Sequence, residues 1–209
     1  MSYARHVITT TEELREIVPP PRPAQETKVL RSLDVHCRRW IERSPFVVIS
    51  SVDSSGRMDL SPKGDPAGFV RILDDRTLAI PDRPGNRRLD TLHNVLDSPE
   101  VGLMFVVPGR GEVLRASGSA QIVTDPELLA TMEVNSNTPI LALVVHLKEV
   151  MFHCGKSVIR SKLWSSEQWP DISGLASYAE CLGDQTKSDE SVAEMESRFA
   201  SWHDGNELY

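Results

Sequence analysis

Between residues 46 and 153, short β-rich runs alternate with turn-forming residues, and this punctuation constrains the fold more than any other feature of the chain. Residues 46–52 and 57–62 flank Asp53, Ser54, Ser55 and Gly56, whose turn chemistry predicts a hairpin. Residues 68–73 and 77–81, joined at Asp74 and Asp75, predict a second. Residues 100–107 and 112–124, joined through Pro108, Gly109, Arg110 and Gly111, predict a third, and residues 140–153 predict a last long strand. The expected fold is mainly β, of α+β class: around six strands in a small antiparallel barrel with helices at its periphery.

The helices are read from apolar periodicity and end signals. Residues 10–18 open with a capping box from Thr10 to Glu13 and stop at the proline-rich run 19–23. From Gln25 to Arg43, Val29, Leu30, Leu33, Cys37, Trp40 and Ile41 recur at helical spacing, predicting one helix with one buried stripe. Further helices are expected over 87–96, 125–132 and from Gly155 through Trp164, with weaker helical segments over 165–209. Three units follow: an N-terminal helical segment over 1–45 packing on the barrel, a core over 46–165, and an acidic helical extension over 166–209.

Charge and composition exclude several classes of function. The net charge is −7, and residues 180–209 alone hold eight acidic residues against Lys187 and Arg198, leaving the body close to neutral. A neutral body with an acidic end does not supply the basic field that nucleic acid requires as a principal partner. The longest apolar runs, residues 103–107 and 140–145, fall far short of the roughly 20 residues of a membrane span. Cys37, Cys154 and Cys181 are odd in number and widely separated, as expected of reduced thiols in the cytoplasm.

Three polar clusters stand out. Asp82, Arg83, Pro84, Gly85, Asn86, Arg87 and Arg88 run into the helix expected near residue 87, with Asn86 as its N-cap. Two guanidiniums beside free helix N–H groups suit a phosphate dianion, although two solvated first-turn arginines would read the same way. Ser61, Pro62, Lys63, Gly64 and Asp65 end a strand and point to the same turn if the two hairpins adjoin; a plain Pro/Gly turn is the other reading. Lys156, Arg160 and Trp164 lie four apart and share a face of the expected helix, as a solvated helix surface also would.

Other motifs fail on inspection. Gly155, Lys156 and Ser157 resemble the end of a P-loop, but Val150 stands where its first glycine should be. Gly109 and Gly111 begin a dinucleotide fingerprint, yet Leu114 replaces the third glycine. No GxSxG elbow occurs. No metal site is expected: His146 and His153, an odd number apart on one strand, should face opposite sides.

The order RMDLSPKGD, then GFVRILDDRTLAIPDRPGNRRLDTL, then EVGLMFVVPGRGEVLRASGSAQIV, and finally FHCGKSVIRSKLW resembles the pyridoxamine 5'-phosphate oxidase-like family of FMN-binding split barrels over residues 30–165. Within it, the chain looks like the subgroup of probable FMN-dependent enzymes. The resemblance implies a six-stranded antiparallel split barrel, a homodimer, and FMN held at the subunit interface. By position, Asn86, Arg87 and Arg88 would hold the FMN phosphate, and Ser61, Pro62 and Lys63 would line the ribityl chain and flavin edge. Pro81 and Asp82 would lie beside the ring system, with Arg115 a further candidate. Lys156, Arg160, Ser161 and Trp164 would reach the flavin from the partner subunit. The implied activity is FMN-dependent oxidation or reduction of a small organic substrate, with no catalytic base assigned. The family's namesake oxidases end in an Arg/Trp-rich segment that holds the substrate phosphate; here an acidic stretch stands instead, so the resemblance implies the cofactor and not that substrate. A flavin carrier or redox sensor, a deazaflavin enzyme, and a haem protein using His146 or His153 are the alternatives.

Overall fold

A computed structural model describes residues 6–203 together with 208 and 209. Seven strands form one antiparallel sheet: β1 (Phe46–Val52), β2 (Met58–Gly64), β3 (Arg71–Ile72), β4 (Thr77–Pro81), β5 (Glu100–Val106), β6 (Val113–Val123) and β7 (Ala142–His153), in the spatial order β2-β1-β5-β6-β7-β4-β3. The three hairpins fall where the turn chemistry predicts. Asp53 accepts backbone N–H groups from Ser55 and Arg57 around Gly56, and Arg76 N donates to Asp74 at the second turn. The expected barrel of around six strands is corrected to seven strands: each of the seven β-rich runs becomes one, although the run over 68–73 shrinks to the two-residue β3. The sheet is also open, since no backbone pairing joins β2 to β3 or β4 among the described residues.

Inward residues of β1, β4, β5, β6 and β7 build the core, among them Val47, Ile49, Leu78, Ile80, Leu103, Phe105, Leu114, Val145 and Val150. The apolar alternation along β1, β5 and β6 sends every second side chain there, whereas β4 is buried on both faces. Gly118 sits at a bulge where β7 carries one more residue than β6, and a Cβ on it would lie 2.2 Å from the His146 carbonyl oxygen. The bulge overturns one expectation. It shifts the parity of β7, pairing His146 with Ser119 and His153 with Val113, so the two histidines share a face of the sheet. They remain seven residues apart along the strand, roughly 20 Å.

The helix expected from Gln25 to Arg43 is two short helices, α2 (Pro23–Thr27) and α3 (Val35–Ile41), after α1 (Thr11–Ile17) with its capping box. Backbone pairing of Leu30 with Val150 breaks the stripe, and Asp34 restarts it by accepting from Cys37 N at 2.8 Å. The stripe residues Leu30, Leu33, Cys37, Trp40 and Ile41 still pack against the core. Sheet pairing, which satisfies a backbone group and buries Leu30 at once, outcompetes two more helical turns.

The next helix is α4 (Asp90–Asp97), followed by α5 (Pro126–Ala130) and α6 (Lys156–Ser161). α6 ends at Lys162 in the left-handed conformation, so Trp164 lies beyond it and does not continue the expected stripe with Lys156 and Arg160. Its indole N–H donates instead to the Arg110 carbonyl at 2.7 Å. Helices α7 (Tyr178–Thr186) and α8 (Val192–His203) pack on each other around Ala179 and Met195. Among the described residues no helix is long and apolar enough to cross a membrane. Of the acidic stretch singled out in the sequence, residues 204–207 lie outside those described.

Candidate functional site

The sheet curls until the C-terminal ends of β2 and β4 meet, and side chains rather than backbone groups span the gap. Lys63 Nζ lies 2.8 Å from Asp82 Oδ1, and Arg83 Nε lies 2.7 Å from Asp65 Oδ2. β2 is an edge strand, which is why Pro62, lacking an N–H, is tolerated in it opposite Val48. Ser61, Pro62 and Lys63 are therefore strand residues and not part of a turn.

Along this seam runs a cleft of about 770 Å³. One wall is β2, with Leu60, Ser61, Pro62 and Lys63; the other is the segment from Asp82 to Leu92 that links β4 to α4. Asn137, Thr138, Pro139 and Ile140 close one side, and Tyr209 lines the cleft as well. The helix α4 holds this segment in place through buried Leu92 and Val95, through Asn94 Nδ2 donating to Ser51 Oγ at 3.0 Å, and through Thr91 Oγ1 donating to Asp59 Oδ2 at 2.9 Å.

The phosphate-binding expectation needs two corrections of geometry. The helix begins at Asp90 and not near residue 87, so Asn86 is not its N-cap; Leu89 holds that position with φ of 58° and offers no side-chain cap. Asn86 Oδ1 instead accepts from Arg88 N at 3.0 Å, fixing the loop. Arg87 too is left-handed, with φ of 59°, a costly conformation for non-glycine residues that clusters at functional sites. The second correction concerns Arg88, whose guanidinium already contacts both carboxylate oxygens of Asp90, at 2.7 and 3.2 Å. That bond raises Arg88 above the ordinary arginine range and holds Asp90 below the ordinary carboxylate range. Arg87 has no such partner among the described residues and stands exposed at the cleft wall.

The structure thus brings Ser61, Pro62, Lys63, Asp82, Asn86, Arg87 and Arg88 into one cleft, with Pro81 lining the adjoining hollow. It does not bring the others there. Arg115 points from the outer face of β6, opposite Met104 and Met151. Lys156, Arg160, Ser161 and Trp164 sit on and after α6, whose start rests where Gly155 abuts Gly111, and none of them lines the cleft of its own chain. Sequence reasoning missed Asp65 and Arg83 as a pair, although each stands inside one of the polar clusters and their charges are opposite. Arg83 also donates to the carbonyls of Met132 at 2.6 Å and Asn137 at 3.2 Å, tying the seam to the 137–140 wall. Nothing local in the sequence marks that wall or Tyr209.

The arrangement accommodates an elongated ligand with an anionic end near Arg87 and an apolar body between Leu60, Pro62, Pro84 and Ile140. Comparison with known families settles the ancestry, because the profile described as pyridoxamine 5'-phosphate oxidase matches residues 33–154, more than half of the chain. The chain belongs to that family. Solved structures similar to this family member include HupZ from group A Streptococcus, 19% identical over 56% of this chain and 91% of that one, with a TM-score of 0.47. An FMN-binding protein from Syntrophomonas wolfei is 11% identical over 68% of this chain and 95% of that one, with a TM-score of 0.42. HutZ, a haem storage protein from Vibrio cholerae, is 13% identical over 58% of this chain and 94% of that one, with a TM-score of 0.42. Comparison with curated proteins gave no match.

Proposed function

We propose that this family member binds FMN in the β2/β4 cleft and acts as an FMN-dependent oxidoreductase on a small organic substrate, working as a homodimer in the cytoplasm. The observation that carries the reading is the Arg87 guanidinium, without a partner among the described residues, at the wall of a 770 Å³ cleft that also presents Ser61 and Asn86 as polar groups, Leu60, Pro62, Pro84 and Ile140 as apolar ones, and carboxylates of Asp59, Asp82 and Asp90 already engaged by Thr91, Lys63 and Arg88. FMN is a phosphate dianion, a polar chain and a flat ring, and the donor set matches those three parts. When bound, FMN supplies electron and hydride transfer. The chain's own groups then bind and orient. Arg87 holds the phosphate, Arg88 assists after loosening from Asp90, and Lys63, fixed by Asp82, presents a cation that stabilises negative charge on the bound ligand. No side chain is assigned as a base.

The dimer is supported by an apolar face beside the cleft. Phe46, Val48 and Val52 on β1, Met58, Leu60 and Pro62 on β2 and Met104 on β5 point outward together; Met58 and Leu60 are 66% and 69% exposed. An exposed apolar face of this kind, broken only by Ser50 and Gly102 at its middle, marks an interface, and a second copy of the chain is the proposed occupant. Leu60 and Pro62 belong both to this face and to the cleft wall, so a copy docked there would complete the site. Lys156, Arg160, Ser161 and Trp164, and on the outer face Arg115, are proposed to act across that interface. Residues 46–165 would then form the ligand-binding core, with 1–45 and 166–209 as flanking helical segments. No histidine lines the cleft among the described residues, which favours flavin over haem as its occupant.

The test is an absorption spectrum of the purified protein, with mass spectrometry of any small molecule that heat releases. Flavin bands and an FMN mass support the proposal. A colourless protein that also fails to bind added FMN overturns it.

A further inference from the structure

The most unexpected visitor to the cleft is Tyr209. Its hydroxyl donates to Asp65 Oδ1 at 2.6 Å, across 144 residues of sequence, and the Arg83 guanidinium carbon lies 5.3 Å from its ring centroid. Asp65 is 1% exposed at its side chain and gives its other oxygen to Arg83, so the phenol is the third member of a largely buried cluster. The hydrogen bond to Asp65 is the main cause that raises the phenol above the ordinary tyrosine range and keeps it a donor. Tyr209 lines both the main cleft and an adjoining hollow of about 400 Å³, whereas Leu208 lines only the hollow. Tyr209 therefore stands between two spaces that share Ser61, Pro62 and Lys63.

We infer that Tyr209 is a positioning residue of the ligand site: clamped by Asp65 and Arg83, its ring forms the inner wall of the cleft and shields bound flavin from water. The inference rests on the FMN reading above and adds a residue from outside the 33–154 match to the family. Two chemically distinct anchors hold one side chain. The hydroxyl meets a carboxylate and the ring face meets a guanidinium, so the ring is fixed in both direction and tilt. A tyrosine that merely decorated the seam would leave the environment of a bound ligand unchanged. A wall residue would not.

Those alternatives separate when FMN affinity and iodide quenching of the bound flavin's emission are measured in the wild type, Tyr209→Ala and Tyr209→Phe. The Ala variant is expected to weaken FMN binding by about tenfold and to raise the quenching constant severalfold, since water and iodide reach the cleft through the hollow. The Phe variant keeps the ring over Arg83, so it should restore wild-type protection from iodide while losing only part of the affinity. Should the Ala variant fail to fold, Tyr209→Leu, which removes both the hydroxyl and the ring-face anchor and so leaves the wall unheld, takes its place, with affinity and quenching changing in the same directions by smaller amounts. A wild type that binds FMN beside an Ala or Leu variant with unchanged affinity and unchanged quenching overturns the inference alone. A wild type that binds no FMN removes both the inference and the function on which it rests.

Discussion

Arg87 and Arg88 are neighbours in sequence, yet their guanidiniums are not equally available. Arg88 is engaged by both oxygens of Asp90 and must give up that contact to take a phosphate, while Arg87 has none to give up among the described residues. A charge-assisted bond contributes about 1.5–3 kcal/mol, so Arg87→Ala should weaken FMN binding by roughly ten- to a hundredfold. Arg88→Ala should cost less, because the wild-type side chain exchanges one anionic partner for another. Flavin fluorescence titration of both variants checks the order, and a larger loss in Arg88→Ala would place the phosphate away from Arg87. Cys37 makes a separate prediction at this scale. Desolvation pushes its thiol from 9.0 up to about 12, so the folded state holds the proton more tightly than the unfolded chain does. The stability this contributes is complete below about pH 9 and is lost as pH rises towards 12, by at most about 1.4 kcal/mol per pH unit. Urea unfolding at pH 9 and pH 11 should therefore show a smaller alkaline loss in Cys37→Ala than in the wild type.

At the scale of elements, the long β6/β7 pair is what lets the sheet bend far enough for β2 to meet β4. β7 pairs with β6 along its length and with β4 over Ala142–His146, and the bulge opposite Gly118 re-aims it between the two tasks. The room for a side chain there is nil. Gly118→Ala should lower stability by about 3 kcal/mol, because the Cβ would overlap a backbone carbonyl that cannot rotate away. Denaturant unfolding measures it, and a neutral effect would mean that the bulge is softer than its packing implies. The helix α3 carries a related lesson. The periodicity from Val29 to Ile41 does mark buried residues, but the element bearing them changes midway from bridge to helix, because burial has the same sequence signature in both.

Across the whole molecule, the apolar outer face of β1, β2 and β5 is the feature that a monomer does not explain. If a second copy covers it, Leu60→Asp should convert a dimer into a monomer in light scattering coupled to size exclusion, and should lower FMN retention with it, since Leu60 also lines the cleft. A monomeric wild type would overturn the dimer while leaving the cleft within each chain untouched. The extension helices α7 and α8 pack on each other, and Leu208 lines the hollow while Tyr209 lines the cleft as well.

The sequence alone determined the strands, their hairpin partners and two of the chemical clusters, because turn residues and alternating burial act over a few residues and leave a local mark. Asp53 and Gly56 announce the first hairpin, and the charges of Lys63 and Arg87 mark a candidate site wherever the chain puts them. Only the tertiary structure decided that Lys63 would meet Asp82, that Arg83 would bind Asp65, that Arg88 would be occupied, and that Tyr209 would wall the cleft. Most of those contacts join residues from 18 to 144 apart. They depend on the curl of the whole sheet, and curl is a sum over every strand pair that no short stretch of residues records.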